Sequence, residues 1–325
     1  MTEVIDQLAV IGRLLRAENV LIVSHKNPDG DTLGSAGALL HALKGLGKQA
    51  AVLCADPIPA RYDYMNLELF EGQFHPGFVV AVDVASQQLF GDAISAYTHR
   101  VDLCIDHHGS NTGYADELYL KPEASATCEI MYELLTAMNV EITAQIAECI
   151  YTGLSTDTGC FLFSNTTASA HRVAADLMEA GARVQDLNTI LFENKSRARM
   201  AIELVALQNL EYHFDGRCAL IYLTRQQIAA SGVAANELED ITSLPRKIEG
   251  VEVGITLRQL PGASYKISIR TTEGVDACAI ARRFGGGGHG RAAGCELEGN
   301  LENAKAAILA EVEKALTRIH GAQES

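Results

Sequence analysis

Short apolar runs alternate with helical spacing through the first half of the chain. Val20–Ser24, Ala50–Cys54, Phe78–Asp83 and Val101–Asp106 are of strand length and predict strands. Thr32–Leu46 offers Leu33, Leu39, Leu40 and Leu43 to one helical face, and Leu89–Tyr97 reads as a second helix. Met1–Arg16 spaces Val4, Leu8, Ile11 and Leu15 as an amphipathic helix; its Glu3 and Asp6 separate it from a secretory leader. Strands alternating with helices predict a doubly wound, mostly parallel α/β sheet. From Ser125 to Gly181 the spacing turns helical, over Ala126–Met138, Thr143–Tyr151 and Ser169–Ala180, and Asp186–Leu210 continues as helix or linker.

A second pattern begins near Tyr212. Cys218–Leu223, Val251–Leu260 and Tyr265–Arg270 predict strands, with Pro261-Gly262 as a hairpin turn between the last two. Val275–Phe284 predicts a helix, Gly285–Gly288 follows, and Leu301–Ile319 closes as a helix. The expected organisation is one domain over 1–185, a helical linker over 186–211 and a smaller α/β domain over 212–325. The chain shows no repeat and no low-complexity tract.

Composition narrows the function. The 325 residues are 48% hydrophobic and 21% charged, which is a folded globule and not a disordered chain. A formal charge of −15 argues against gripping long duplex nucleic acid through a broad basic surface, but not against a small site for short phosphate-bearing ligands. The eight cysteines form no CxxC pair, and the apolar runs are too short to span a bilayer. A cytoplasmic protein with reduced thiols is expected.

The segment His25-Lys-Asn-Pro28-Asp29-Gly30-Asp31 follows the first strand, and Pro28 and Gly30 predict a tight turn there. Taken alone, this is a loop with Asp31 capping the next helix. Asp83 and Asp106-His107-His108 also end strands, however, and Asp157 follows a helical run. Ligands of parallel sheets bind outside the carboxyl ends of the strands. Anions converging there without a cation would repel one another. Asp29, Asp31, Asp83 and Asp157 with His25 and His107 form a hard, oxygen-rich set that suits Mn²⁺ or Mg²⁺ better than structural zinc. Two such ions can clamp a phosphate and activate water, and Asp83, central in the set, is the candidate bridge.

This ordered series, spanning about 130 residues, resembles the four motifs of the DHH phosphoesterase superfamily. The resemblance implies hydrolysis of phosphodiester, phosphomonoester or phosphoanhydride bonds with two divalent ions, Mn²⁺ first and Mg²⁺ or Co²⁺ as alternatives. It implies His25, Asp29 and Asp83 on one metal, and Asp31, Asp83, His107 and Asp157 on the other. Asp106 would orient a histidine through its ring N–H. His108 would contact the scissile phosphate or assist the leaving group.

In the second half, Phe284-Gly-Gly-Gly-Gly288-His289-Gly-Arg291-Ala-Ala-Gly294 stands out. Consecutive glycines bring backbone N–H groups close to an anion, although a helix cap running into a hinge is the plain alternative. His289 and Arg291 favour the anion, and Arg270 ends a neighbouring strand; Arg282 and Arg283 read as a solvated helix face. The element resembles the DHHA1 domain that accompanies DHH modules. That implies substrate binding by Gly286, Gly287, Gly288, His289, Arg291 and Arg270, in a cleft between the domains. The two-domain arrangement is similar to the NrnA group of oligoribonucleases and pAp phosphatases, which implies short oligoribonucleotides or pAp as substrate, no membrane partner and a homodimer. The alternatives are a cyclic di-AMP or pApA phosphodiesterase and a catalytically silent nucleotide-binding module. An inorganic pyrophosphatase or a RecJ-like exonuclease is a poorer match.

Overall fold

The structure, a computed structural model, describes residues 2–234 and 237–321. Met1 and residues 322–325 of the expected second domain lie outside the described residues. The chain divides into two compact units, Met1–Asn194 and Lys195–Ser325.

The first unit runs β1 (Glu3–Val4), α1 (Gln7–Arg16), β2 (Val20–Val23), α2 (Gly30–Gly45), β3 (Ala50–Leu53), β4 (Phe78–Val82), α3 (Ser95–Thr98), β5 (Leu103–Asp106), β6 (Glu117–Leu120), α4 (Thr127–Ala137), α5 (Ala144–Asp157), α6 (Ala168–Glu179) and α7 (Val184–Asn188). Among the described residues its sheet has six parallel strands in the order β1-β6-β5-β4-β2-β3. The order reverses at β2, which lies between β3 and β4. The carboxyl ends of β2 and β4 therefore open the crevice where such sheets hold ligands. Val20 and Ile22 pack with α1, α2, α4 and α5 on one face, while Leu21 and Val23 pack with residues 84–118 on the other. No helix among the described residues is long and apolar enough to cross a membrane.

Three expectations change here. The expected N-terminal helix begins later, because Glu3–Val4 pairs with β6 and Asp6 caps α1 by accepting the Ala9 N–H. Val10 and Leu14 are buried in the core while Leu8 is 78% exposed, and Arg13 pairs with Glu117 of β6. The expected helix over Leu89–Tyr97 breaks into short 3₁₀ turns and α3, because Gly91 sits at φ +82°. Residues 117–120 form a strand that the apolar spacing did not announce, since Glu117 opens it.

The contact between α2 and α5 brings the two helices unusually close. A β-carbon on Gly153 would lie 2.2 Å from Cys128 Sγ and 2.6 Å from Asp31 Oδ1. Gly30 is not in a turn, as expected, but opens α2, where a β-carbon would lie 2.3 Å from Thr156 Oγ1.

The second unit continues with α8 (Arg197–Gln208), β7 (Glu211–His213), β8 (Cys218–Leu223), α9 (Arg225–Ser231), β9 (Val253–Gln259), β10 (Ser264–Thr271), α10 (Ala277–Arg282), β11 (Gly287–His289), β12 (Ala292–Glu298) and α11 (Leu301–Gly321). Its strand order is β11-β12-β10-β9-β8-β7, antiparallel except between β8 and β9. One face packs on α10 and α11 through Ile255, Ile267, Ile269, Ile280 and Ile308. On the other, Ile221 and Leu223 pack with Ile202 and Ala206 of α8. Pro261-Gly262 does turn between β9 and β10, with Gly262 at φ +88°.

The close approach of α2 and α5 predicts a sharp contrast in urea unfolding. Gly153→Ala should lower the unfolding free energy by about 2 kcal/mol, since overpacking a filled contact typically costs that much. Gly45→Ala, with open space around its would-be β-carbon, should leave stability unchanged or raise it by up to about 1 kcal/mol.

Candidate metal centre

The carboxyl ends of β2, β4 and β5 and the end of α5 deliver acidic and imidazole side chains to one place. His25 lies two residues past β2, and Asp29 caps α2, its Oδ1 accepting the N–H groups of Asp31 (3.1 Å) and Thr32 (3.2 Å). Asp31 therefore does not cap the helix but stands inside its first turn. Asp83 follows β4 at φ +60°, a left-handed conformation that aspartate tolerates and that turns the chain at the strand end. Asp106 ends β5, His107 and His108 come next, and Asp157 is the last residue of α5.

Three groups of side chains could hold a metal ion: His25, Asp29 and Asp83; Asp31, His107 and Asp157; and Asp83, His107 and His108. His25 Nε2 lies 3.5 Å from Asp29 Oδ1 and 3.8 Å from Asp83 Oδ2. His107 Nε2 lies 3.4 Å from Asp157 Oδ2, 3.7 Å from Asp83 Oδ1 and 4.0 Å from Asp31 Oδ2. Asp83 thus turns one oxygen to each histidine.

The two imidazoles are oriented by backbone. His25 Nδ1 is 2.9 Å from the Lys26 carbonyl and His107 Nδ1 is 3.2 Å from the Ala124 carbonyl. A carbonyl can only accept, so Nδ1 carries the proton and Nε2 presents a lone pair to the aspartates. His107 Nε2 is buried and has no hydrogen-bond partner. A buried lone pair facing three carboxylates at 3.4–4.0 Å is a fit for a cation.

Electrostatics point the same way. Burial pushes Asp83 well up from the usual carboxylate range, and the charges of Asp31, Asp29, Asp106 and Asp157 push it further. Burial raises Asp31. Burial, then the charges of Asp31 and Asp29, raise Asp157 to about 8. Each of these shifts disfavours the charged form in the absence of a cation, and a bound cation would relieve the repulsion.

His108 differs from the other two histidines. Its Nδ1 donates to Asp106 Oδ1 at 2.8 Å, and this bond raises its pKa against the opposing effect of burial. Asp106 is fully buried; burial would raise it, but hydrogen bonds from His108 and Asn111 hold it down as a carboxylate. The histidine that Asp106 orients is therefore His108, while carbonyls orient His25 and His107.

Several residues of the site carry no signature in the apolar spacing. Thr127 N–H donates to Asp31 Oδ2 at 2.7 Å, Cys128 N–H to Asp31 Oδ1 at 2.9 Å, and Thr127 Oγ1 to Asp83 Oδ1 at 2.9 Å. The amino end of α4 thus satisfies one buried carboxylate and orients the next. Its signal was a Ser-Ala-Thr opening a helical run, which says that a helix starts but not what it caps.

In the second unit, β11 and β12 form a hairpin where a glycine loop was expected. Gly286 is not free to bind an anion: its N–H donates to the Ala281 carbonyl, and a β-carbon there would lie 2.2 Å from the Gly294 carbonyl oxygen. Gly287 and Gly288 pair with Gly294 and Ala293. His289, Ala292 and Arg270 stand in one cross-strand row, so their side chains share a face. Arg291, at the hairpin tip, lies 3.7 Å from Glu273.

Comparison with known proteins adds three findings. Residues 19–154 match the model of the DHH family, N-terminal domain, and residues 220–318 match that of the DHHA1 domain. A bifunctional oligoribonuclease and PAP phosphatase NrnA of Thermus thermophilus is 33% identical over 96% of this chain and 95% of its own, and one of Bacillus subtilis is 25% identical over 86% and 90%. The crystal structure of an exopolyphosphatase-related protein from Bacteroides fragilis superposes with a TM-score of 0.86 at 26% identity, covering 97% of each chain.

Thr127→Val should weaken Mn²⁺ binding about 10- to 100-fold by titration calorimetry, and Thr127→Ser should keep it. A pH effect follows from Asp157. An acid raised in the fold stabilises it only while protonated, so this contribution is full below about pH 4 and is lost as the pH rises toward 8. The metal-free protein should melt at a lower temperature at about pH 8.5 than at about pH 6. Saturating Mn²⁺ should raise Tm more at the higher pH, and a metal shift independent of pH would count against the assignment.

Proposed function

The chain belongs to the DHH family and carries a DHHA1 domain, and from that premise we propose that it hydrolyses very short oligoribonucleotides to mononucleotides and converts pAp to AMP. The observation that carries this reading is Asp83, whose two oxygens face two different histidine–carboxylate groups. The Thermus and Bacillus relatives bear that pair of activities in their names and match nearly the whole chain.

His25, Asp29 and Asp83 are assigned to one divalent cation, and Asp31, Asp83, His107 and Asp157 to the other. When bound, two such ions lower the pKa of water and neutralise phosphoryl charge. The hard donor set favours Mn²⁺, with Mg²⁺ or Co²⁺ as substitutes.

The chain's own groups supply the rest. His108 is 44% exposed, so it can reach a substrate, and its bond to Asp106 raises its pKa. His108 is assigned to give a proton from Nε2 to the departing ribose oxygen, with Asp106 supporting the imidazolium form through Nδ1 and Asn111 steadying Asp106. Substrate binding in the second unit is assigned to His289, Arg291, Arg270 and the glycines Gly287 and Gly288, where side chains that donate to phosphate lie beside bare backbone. A −15 chain with so local a basic element suits a substrate of a few nucleotides.

A panel of a diribonucleotide, pAp, pApA and cyclic di-AMP, each with Mn²⁺, tests the reading; turnover of none of them with metal bound would reject it. Asp83→Ala should abolish activity while leaving the circular dichroism spectrum intact. His108→Ala should lower kcat on a dinucleotide about 10²- to 10⁴-fold, and far less on a p-nitrophenyl ester, whose leaving group needs no proton.

A further inference from the structure

Immediately after Asp157 the backbone enters a conformation that side chains normally avoid. Gly159, Cys160 and Phe161 have φ of +58°, +56° and +63°, three consecutive residues in the left-handed region. Only glycine visits that region without strain, and a bulky residue such as Phe161 is there only when its surroundings impose it. The surroundings are visible. Thr158 Oγ1 accepts the Phe161 N–H at 3.2 Å, and the Thr158 carbonyl accepts those of Leu162 (3.0 Å) and Phe163 (2.9 Å). The Phe161 ring is stacked on His171 with centroids 4.9 Å apart. Asn165 closes the loop, its Nδ2 donating to the Asp157 carbonyl at 3.2 Å and the Ser125 carbonyl at 2.9 Å. The loop is thus pinned at both ends to segments that hold the aspartates.

This strain turns Leu162 and Phe163 outward. They are 84% and 59% exposed. The Phe163 ring is nonetheless held: it lies over Gly159, where a β-carbon would come within 2.4 Å of Cζ. A fixed aromatic face with an aliphatic neighbour, packed over a glycine two residues past Asp157, has the form of a stacking platform.

We propose that Phe163, with Leu162, is the platform on which a nucleobase stacks when the adjoining phosphate reacts at the aspartate–histidine cluster. The inference rests on the phosphoesterase reading and names how the substrate is held within the first unit. Every base has a π-face, so the platform accepts any base and rejects none, as an enzyme that finishes off mixed short RNAs requires.

The test uses the full-length protein with Mn²⁺ and two probes. The first is a pair of dinucleotides, one with both bases and one abasic at the reacting nucleotide. Phe163→Ala should raise KM for the complete substrate about tenfold with kcat within twofold, leave the abasic substrate unchanged, and be rescued by Phe163→Trp. The second is a 2-aminopurine dinucleotide, whose fluorescence should be quenched by wild type and not by Phe163→Ala. Equal effects on both substrates, or unchanged KM and quenching, would overturn the proposal. So would a change in protomer number by light scattering, which would make the loop a contact between copies. Quenching without turnover by wild type would sink the hydrolytic reading and leave the platform standing.

Discussion

Everything in the first unit is arranged around one buried charge. The Asp31 carboxylate is 1% exposed, and its oxygens are met by the Thr127 and Cys128 N–H groups at the amino end of α4. A buried carboxylate without such donors is prohibitively costly. The interaction therefore requires α4 to start where it does, α2 to bring Asp31 in on its first turn, and α5 to leave room at Gly153. Thr127 then reaches across to Asp83 at the end of β4. Three helices and a strand are held in register by one carboxylate and the two N–H groups that receive it.

The same arrangement explains why so many like charges coexist. Asp31, Asp83 and Asp157 are held in place but lie above the usual carboxylate range. Asp106, by contrast, is fully served by His108 and Asn111 and sits below the usual range. Carboxylates whose charge is disfavoured by burial stand beside one whose charge is supported by His108 and Asn111. Two different carboxylate environments thus share one site.

Much of this was legible in the chain, for identifiable reasons. Parallel strands buried on both faces appear as plain apolar runs, and β2, β4 and β5 announce themselves that way. The strand ends then carry Asp83 and Asp106-His107-His108 in plain view. What was hidden depends on partners remote in sequence. Val4, Leu8 and Leu15 satisfy a helical period as well as Val10 and Leu14 do, and only the pairing of Glu3 with Glu117 decides between them. Thr127 reads as an ordinary helix opener until Asp31 and Asp83 are seen beside it. The glycine run looks like a loop because glycine does not reveal whether freedom or close packing is needed; at Gly286 it is close packing.

The edge strand β1 has a consequence for how the protein is made. Glu3 and Val4 pair with Glu117 and Leu118, and Arg13 holds Glu117, a separation of 104 residues. β1 therefore leaves the ribosome long before its partner β6 exists. β2, β3 and β4 can assemble among themselves in the meantime, and closing the sheet edge waits for β6. Because distant pairings form slowly, the β1–β6 edge of the sheet is a late step of folding, and α1 docks in its final position only when β6 has arrived.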